Sequence, residues 1–283
     1  MINPLSYWLF RITSVLRWYW GARTRYDVHS PYLTTIINEV IRDRRHFHAF
    51  DLIRSVRAYW RRQGGRVQLM SLGAPSTTVR GNERSVSSLV TTNAIDDACG
   101  RLLFRLALHL RPRRILEFGT NAGVSTLYLH AADTRTPLQT VEGNPAVAAL
   151  ARRTFARAGT SAALVPYVSL FTEWLDAHGP RPDDGGAPLD LFFCDGDHRY
   201  QPTLDYVARL LPHRGENAVF VIADIHWSAG MERAWAELRQ LPEVTASLDV
   251  YHFGLLFFRP GLDGPHLTYV NTWLKPWRVG FLG

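Results

Sequence analysis

An α/β fold built on a largely parallel β-sheet is predicted by three features of this sequence. From residue 114 onward, short apolar segments alternate with amphipathic helical segments, a pattern typical of parallel sheets with crossover helices. A glycine-rich turn joins the first apolar segment to the helix that follows it. Two apolar segments joined tightly around His252-Phe253 close the series, which predicts a terminal hairpin that a plain dinucleotide-binding fold lacks.

Each element is predicted from the spacing of its apolar residues. The predicted strands are 114–119, 137–142, 162–168, 189–195, 218–224, 244–251 and 254–259. The predicted helices around them are 95–110, 123–132, 145–158, 171–178, 201–212 and 229–240. Residues 266–271 are a further candidate, for a strand at the edge of the sheet.

The residues that precede the sheet are predicted to form a helical cap and a lid. Apolar residues recur at helical spacing over 4–20, over 31–41 after Ser30-Pro31, and over 48–63. Residues 71–92 are rich in Ser, Thr and Gly, which favours a linker or an active-site lid. The expected organisation is a cap and lid over 1–92, a sheet domain over 93–260 and a tail over 261–283.

The positive charge of the chain is concentrated in its N-terminal quarter. The net charge is +7, and residues 1–70 carry 12 Arg against 4 acidic residues, so this segment holds +8 and the rest −1. Such a segment suits nucleic acid, an anionic membrane or an acidic partner, and a solvated basic face is the alternative. Cys99 and Cys194 have no metal-binding or redox spacing, which favours a reducing cytosol.

The helix predicted over 4–20 has an apolar side that is rich in tryptophan and flanked by arginines. It fits an interfacial membrane helix, a helix packed on the main domain, or a contact with a second subunit, as in a homodimer. We expect packing, because Trp-rich apolar stripes are usually buried, and keep peripheral membrane contact through residues 4–25 as the alternative.

Neither a membrane span nor a secretory signal is expected from this N-terminal segment. Arg11 and Arg17 interrupt it, and the uncharged runs fall far short of the roughly 20 residues that a span needs. No small-residue cleavage site follows a proper apolar region. A cytoplasmic protein is therefore expected.

The turn after the first strand has the spacing E-x-G-x-x-x-G-x-S, from Glu117 through Gly119 and Gly123 to Ser125. Glycine permits positive φ and the close approach of a ligand, and helix N-termini bind negative groups. A dinucleotide-binding turn would instead have G-x-G-x-x-G. Glu142 ends the next strand, 25 residues after Glu117, where a carboxylate can accept both ribose hydroxyls of a nucleoside. An acid that stabilises the start of the following helix is the alternative for Glu142.

Polar side chains also end the fourth and fifth predicted strands. Asp195, Asp197 and His198 follow the fourth strand, and Asp224 and His226 follow the fifth. Carboxylates and histidines at one edge of a sheet suit a hard divalent cation or a general base. The alternative is that some of them cap the helices that follow.

These motifs resemble those of the class I S-adenosylmethionine (SAM)-dependent methyltransferases. The turn is similar to the first motif of that family, and the closing hairpin is similar to its Rossmann-like seven-stranded sheet, whose last strand is antiparallel. Asp195 and Asp224 match the two aspartates that bind a divalent metal in catechol-type and caffeoyl-CoA-type O-methyltransferases. Those enzymes have Asn after the second aspartate, whereas this chain has Ile225, so His226 is the candidate substitute.

Over nearly its whole length the chain resembles an uncharacterised group of bacterial SAM-dependent methyltransferases that is common in Bacteroidetes. The group has the motifs H-S-P-F/Y, L-E-x-G-T-x-x-G, D-G-N/D-H and D-D-I-H-W-S-x-x-M-x-x-A-W. The matching segments here are His29 to Tyr32, Leu116 to Gly123, Asp195 to His198, and Asp224 to Ser228 with Met231, Ala234 and Trp235. Ala223 replaces the first Asp of the last motif.

The resemblance implies a set of SAM-binding residues. The expected contacts are Glu117, Gly119 and Ser125 at the methionine end with Thr120, Asn121 and Gly123 beside them, Glu142 and Gly143 at the ribose, and Ser169 and Leu170 at the adenine. Asp195 is expected to contact the SAM amino group or a metal ion.

The implied reaction is in-line transfer of the methyl group to a hydroxyl of a small molecule. The acceptor oxygen must be held near attack distance and must lose a proton. The candidate bases are His198 and His226, with Asp195 acting directly or through a divalent cation such as Mg²⁺ bound by Asp195 and Asp224.

Two other functions stay open at this point. A nucleic-acid methyltransferase would explain the basic N-terminal segment, but the sequence lacks an N-P-P-Y/F segment after the fourth strand and a Pro-Cys nucleophile. A SAM-binding or membrane-associated protein without turnover would explain Ile225 and Ala223 in place of the expected Asn and Asp.

Overall fold

Strands and helices alternate through the chain, as the computed structural model describes it for residues 4–70, 83–179, 186–262 and 264–278. The helices are α1 (Pro4–Gly21), α2 (Pro31–Ile36), α3 (His48–Arg61), α4 (Val86–Ser88), α5 (Asp97–Leu110), α6 (Val124–Ala132), α7 (Pro145–Arg157), α8 (Phe171–His178), α9 (Tyr200–Leu210) and α10 (Ala229–Leu238). The strands are β1 (Arg66–Gln68), β2 (Glu83–Ser85), β3 (Ile115–Phe118), β4 (Leu138–Glu142), β5 (Tyr167–Val168), β6 (Leu189–Cys194), β7 (Arg214–Ala223), β8 (Ala246–Asp249), β9 (Phe253–Phe257) and β10 (His266–Thr268).

The central sheet is mostly parallel, and its strands lie in the order β5-β4-β3-β6-β7-β9-β8-β10. Only β9 runs antiparallel to its neighbours, which confirms the predicted α/β fold and its antiparallel hairpin. The described part of the sheet has eight strands, because β10 adds to the edge beside β8 within the segment proposed as an edge strand. Phe118 is level with Val141 on β4 and Cys194 on β6, so these three strands end together.

Helices cover both faces of the sheet because its central strands are apolar on both sides. Every residue of β3 and nearly every residue of β6 is buried. One face packs against α2 and α5, and the other packs against α8, α9 and α10. This two-sided burial is why the strands appear in the sequence as continuous apolar runs.

The N-terminal segment shares its core with the sheet. Leu33 and Ile36 of α2 belong to the same buried cluster as Val221 of β7 and Leu255 of β9. Ser30 caps α2 by accepting a hydrogen bond from the Leu33 amide at 3.4 Å. The helix of α2 continues through a π-helical turn at Ile37–Ile41, so the predicted helix 31–41 changes its hydrogen-bond pattern midway. The domain boundaries at 92 and 260 stay predictions.

Two predictions of local structure are corrected. The strand predicted over 162–168 is reduced to Tyr167–Val168, because the amides of Ala163 and Leu164 both donate to the Thr160 carbonyl in a turn. Pro166 also lacks the amide that a longer ladder would need. Part of the predicted lid is structured, since β2 pairs antiparallel with β1, while residues 71–82 lie outside the described residues.

Helix α1 lies at the end of the sheet where β7 finishes. Arg11 Nη1 donates to the carbonyl of His226 at 3.2 Å, and Arg23 forms an isolated parallel bridge with Tyr269. Among the described residues, no helix combines the length and the apolar character needed to cross a membrane. The N-terminal segment therefore sits beside the loops where functional residues are expected.

Candidate active site

The glycine turn brings the end of β3 against the end of β6. Gly119 has φ of +99°, and a Cβ atom there would lie 2.3 Å from the Asp195 carbonyl oxygen. The Asp195 amide donates to the Phe118 carbonyl at 2.8 Å, which fixes the two strand ends together. Both the backbone conformation and the contact require glycine at this position.

A cavity of about 630 Å³ opens above this turn, bordered by the ends of β4 and β6 and the start of α8. Several residues predicted to bind the cofactor line it. These are Gly119, Asn121, Glu142, Gly143, Leu170 and Asp195. The structure thus gathers residues from four separate strand ends and loops around one space of ligand size.

Glu142 is held in place by the backbone around the cavity. Its two carboxylate oxygens accept hydrogen bonds from the amides of Asn121 and Asn144, each at 2.9 Å. Burial raises the pKa of Glu142, although these backbone hydrogen bonds oppose the rise. A fixed carboxylate that lines the cavity has the geometry to accept hydroxyl donors.

Five predicted cofactor residues do not line this cavity. Thr120 and Ser125 are buried beneath the turn, and the Ser169 hydroxyl donates to the Leu170 carbonyl at 3.1 Å. Gly123, with φ of +82°, supports the turn, since a Cβ there would lie 2.6 Å from the Phe155 ring. Glu117, the fifth, also lies below the turn. These residues shape the site from beneath rather than line it.

Glu117 is an unusual buried acid. It is fully buried on β3, and its Oε2 accepts a hydrogen bond from the Thr140 hydroxyl at 2.6 Å and another from Thr126. Its Oε1 has no hydrogen-bond partner among the described residues. Burial raises the pKa of Glu117, although hydroxyl donors oppose the rise. An unpaired carboxylate oxygen here favours a ligand that brings a donor, such as an ammonium group.

Leu69 and Met70 were missed because nothing in their local sequence marks them, whereas Phe171 belongs to the segment 169–171 that the resemblance places at the adenine. Leu69 and Met70 reach the cavity from the end of the β1 segment, far from the turn in sequence. Phe171 at the start of α8 stacks on Phe118 with ring centroids 4.6 Å apart, and a Cβ at Gly196 would lie 2.7 Å from its ring. The position of the Phe171 ring is fixed by its stacking on Phe118 and by its packing against Gly196.

Three of the predicted catalytic and metal-binding residues converge at the rim of the cavity. His198 Nε2 lies 3.8 Å from Asp195 Oδ1 and 3.6 Å from Asp224 Oδ2, so the ring is near both carboxylates but bonded to neither. One ligand atom from each residue lies within 4.8 Å of the others, which is a spacing that a metal ion can span. We name Asp195, His198 and Asp224 the open cluster.

The charge of the open cluster is poorly balanced. Burial, then the carboxylate of Asp224 and then that of Glu117 raise the pKa of Asp195 well above its usual range. Asp224 has φ of +55°, an uncommon conformation for a residue other than glycine, which the hydrogen bond from its amide to the His252 carbonyl at 2.8 Å holds. A strained, acid-rich group of this kind is typical of a functional site.

His226 does not join the open cluster, which contradicts its prediction as a base and as a metal ligand. Its Nδ1 lies 3.0 Å from Glu232 Oε1 and its Nε2 lies 2.9 Å from Asp249 Oδ2. Burial opposes the charged ring, but the hydrogen bonds with Asp249 and Glu232 raise the pKa of His226. Carboxylates at both nitrogens favour the imidazolium form, which has no free lone pair with which to take a proton from an acceptor. We name His226, Glu232 and Asp249 the closed cluster.

Asp197 does not join the open cluster, although the sequence predicts that it lies with Asp195 and His198 at this edge of the sheet. Both of its carboxylate oxygens contact Arg199, and Oδ2 accepts a hydrogen bond from the Tyr206 hydroxyl at 2.9 Å. Its charge is therefore neutralised within the loop. Asp197 lines the cofactor-sized cavity but has no free oxygen set toward the open cluster.

A second cavity, of about 360 Å³, lies on the other side of Asp224, between α1, α5 and the β8–β9 hairpin. His252, whose carbonyl accepts the Asp224 amide, lines it, and so does Cys99. Burial, Asp96 and then the carboxylates of Asp195 and Asp224 raise the pKa of Cys99. The remaining lining is mainly apolar: Val15, Trp18, Ile41, Ala98, Leu102, Arg105, Val250, Tyr251, Phe253, Tyr269, Val270, Asn271 and Leu274. The open cluster thus adjoins the first cavity through Asp195 and the second through the bond between Asp224 and His252.

Comparison with protein families and curated proteins points to one kind of chemistry. Residues 116–225 match a family described as a methyltransferase domain. A catechol O-methyltransferase from Mycobacterium tuberculosis (strain ATCC 25618 / H37Rv) is 31% identical over 185 residues, which span 65% of this chain and 77% of that protein. The family match includes all three residues of the open cluster.

Solved structures share the fold at low sequence identity. The O-methyltransferase TomG from Streptomyces achromogenes, in complex with SAM, has a TM-score of 0.55 at 21% identity and covers 77% of this chain and 92% of its own. An O-methyltransferase from Bacillus cereus, in complex with SAH, has a TM-score of 0.55 at 17% identity and covers 81% and 97%. These similarities establish the fold of the sheet.

Proposed function

We propose that this chain, which belongs to the class I SAM-dependent methyltransferases, transfers a methyl group from SAM to a hydroxyl oxygen of a small-molecule acceptor. One observation carries the proposal: Asp195 both lines the cofactor-sized cavity and belongs to the open cluster. A group bound in the cavity and an acceptor at the cluster would therefore meet at one residue. The match to an O-methyltransferase relative supports oxygen as the acceptor atom.

The residues of the cavity fit SAM. Gly119 lines the cavity, and Glu142 is fixed to accept the ribose hydroxyls. Glu117 Oε1 has no hydrogen-bond partner in the described part of the chain, and the Glu117 carboxylate is near enough to raise the pKa of Asp195, so the two acids together suit the ammonium of the methionine end. SAM, when bound, supplies an electrophilic methyl group on its sulfonium sulfur.

In this proposal His198 takes the proton from the acceptor hydroxyl. Among the described residues, the closest partners of its Nε2 are Asp224 at 3.6 Å and Asp195 at 3.8 Å, which leaves it available to an acceptor. The two carboxylates would stabilise the imidazolium that forms, and their distance allows the ring to move toward either. The acceptor oxygen then forms its bond to the methyl carbon as the carbon–sulfur bond breaks.

The same three residues also fit a divalent cation. Two carboxylates and one imidazole form a mixed donor set, which suits Mn²⁺ or another transition metal better than Mg²⁺. His198, rather than the predicted His226, would then replace the missing Asn of the related enzymes. A cation there would act as a Lewis acid on the acceptor oxygen, and His198 would be a ligand rather than the base.

Calorimetry and a transfer assay test this proposal. We expect SAM to bind and NAD not to bind, and methylated product to form from at least one acceptor in a screen of phenols, sugars and lipid alcohols. NAD binding without SAM binding would overturn the cofactor assignment. SAM binding with no product from any acceptor would favour a SAM-binding protein without turnover.

A second experiment separates base from ligand. Product formation is measured after dialysis against EDTA and after addition of Mn²⁺ or Mg²⁺, and Mn²⁺ binding is followed directly by electron paramagnetic resonance. Activity that survives EDTA supports His198 as the base. Activity that requires Mn²⁺, together with a bound signal that His198→Gln abolishes, supports the cation.

A further inference from the structure

Helix α1 packs on the protein through one side, where Tyr7 and Trp18 contact the rings of Trp227 and Tyr251, and it exposes apolar residues on the other side. Ser14, which is buried, donates a hydrogen bond to Glu232, and Arg11 reaches the His226 carbonyl from the same side. Leu9 and Leu16, one helical heptad apart on the opposite side, are each about half exposed. The predicted packing on the main domain thus involves only one side of α1, and most of the apolar stripe is exposed in the single chain.

The exposed apolar side of α1 continues onto the C-terminal segment. The Tyr19 hydroxyl donates to the Leu274 carbonyl at 2.7 Å, and Lys275 Nζ donates to the Ala22 carbonyl at 2.7 Å. Trp20 and Trp273 are both 70% exposed. We name the exposed apolar residues of the two segments the outer face: Trp8, Leu9, Ile12, Val15, Leu16, Trp20, Trp273, Leu274 and Trp277. Such a group on one surface marks an interaction site.

The charge around the outer face has one sign. Residues 4–25 carry four arginines and no acidic residue. Arg17 and Arg23 are exposed beside the apolar residues, and Glu232, which lies 3.6 Å from Arg17, is largely covered on the packed side. A second copy of the chain docked face to face would place these like charges together, which opposes a symmetric dimer through this surface.

We infer that the outer face docks on an anionic lipid bilayer. Tryptophan is the residue that best occupies the boundary between headgroups and acyl chains, and the outer face carries four. An apolar helix side that lies in this boundary, with arginines at its flank, is the arrangement of an interfacial helix. The arginines supply the attraction to anionic headgroups.

The outer face also borders the second cavity. Val15 and Leu274 belong to both, at 41% and 37% exposure, so the cavity opens beneath the surface that meets the bilayer. Resting on the proposed function, the acceptor class is then an apolar compound with a hydroxyl group, dissolved in the membrane. Its apolar body would fill the cavity, and its hydroxyl would reach past His252 to the open cluster.

Vesicle flotation tests the docking independently of catalysis. The full chain is floated with vesicles of phosphatidylcholine alone and with 30% phosphatidylglycerol. We expect flotation only with the anionic vesicles, decreasing as salt is raised, and a blue shift of tryptophan fluorescence. Leu9→Glu should reduce the floated fraction at least fivefold.

The matched control is Val165→Glu, which adds the same charge to another exposed apolar residue, near β5 at the opposite edge of the sheet. It should float like the unmodified chain, and thermal unfolding shows whether both variants are folded. Equal flotation of the two variants, or none with anionic vesicles, would overturn the docking. A dimer in sedimentation that Leu9→Glu dissociates, without flotation, would assign the outer face to a second copy.

The acceptor class is tested with phenol and 4-nonylphenol in the presence of anionic vesicles. We expect methylation of the nonyl compound to exceed that of phenol at least tenfold. Ala98→Trp, which narrows the cavity from an exposed position on α5, should remove this preference while transfer to phenol persists. Equal rates for both acceptors would overturn the acceptor class. If neither is methylated while flotation persists, the docking stands and the proposed transfer fails for these acceptors.

Discussion

The open cluster and the closed cluster contain the same types of side chain but differ in how far these are hydrogen-bonded. Each has two carboxylates and one histidine near the end of the sheet. In the closed cluster, hydrogen bonds of 2.9 and 3.0 Å engage both nitrogens of His226. In the open cluster, the closest approaches of His198 are 3.6 and 3.8 Å, and the pKa of Asp195 is raised by its neighbouring acids.

The difference shows that the number of satisfied hydrogen bonds, rather than the residue types present, separates a structural cluster from a functional one. In the closed cluster every charge has a partner, and its Glu232 accepts a further bond from Ser14, so the cluster anchors α1. In the open cluster the acids repel each other, and a ligand is required to balance them. Unpaired charge of this kind destabilises a folded protein, and proteins retain it where activity requires it.

The largest expected effect comes from replacing one aspartate in each cluster. Asp195→Asn should lower kcat/KM by about 10²- to 10⁴-fold, because the cluster that receives the proton is lost. Its free energy of unfolding should stay equal or rise, since a repelling charge is removed. Asp249→Asn, the matched control, should lower stability and leave kcat near that of the unmodified enzyme. Methyl-transfer kinetics and urea unfolding measure these effects. If Asp249→Asn lost activity and Asp195→Asn lost stability, the closed cluster would be the functional one.

Replacing the histidine of each cluster should also have unequal effects on stability. His226→Gln should lower the free energy of unfolding by about 2–3 kcal/mol, because hydrogen bonds to two carboxylates are broken and their charges stay behind. His198→Gln should change stability little, since its ring makes no hydrogen bond that unfolding would lose. Urea unfolding at neutral pH measures both. Equal destabilisation would show that His198 is as structural as His226.

The cavity that adjoins the open cluster is tested by replacing Glu142, which lines it. Glu142→Gln should weaken SAM binding by about 10- to 100-fold, the loss expected for hydrogen bonds to a charged group. Glu216→Gln, at an exposed position near the start of β7, is the control and should bind SAM as the unmodified chain does. Isothermal titration gives both dissociation constants. An unchanged affinity would show that Glu142 serves the backbone alone.

The smallest effect is a pH dependence of the closed cluster. The folded-state pKa of His226 lies above its ordinary value of 6.5, so its contribution to stability is complete below that value. The contribution is lost as the pH rises through the raised pKa. The stability difference between the unmodified chain and His226→Gln should therefore shrink between pH 6 and pH 9 in urea titrations. A difference that grows over this range would mean that His226 is neutral in the folded protein.

Local patterns in the sequence determined the sheet and the cofactor side of the site. The alternation of apolar runs and amphipathic helices gives the parallel strands, because a strand buried on both faces must be apolar throughout. The spacing from Glu117 to Gly123 gives the turn, because glycine readily adopts the positive φ found at Gly119 and Gly123. Glu142 followed from its place at the end of a strand. These features depend on residues that are close in the chain.

Tertiary structure alone decided which polar side chains meet. His198 and His226 follow neighbouring strands and are equivalent in the sequence, but Glu232 and Asp249 arrive from α10 and β8 to engage His226. The side of α1 that faces the protein was decided in the same way, because Arg11 and Ser14 form hydrogen bonds with His226 and Glu232. Hydrogen bonds between distant segments set these outcomes, and spacing along the chain carries no information about them.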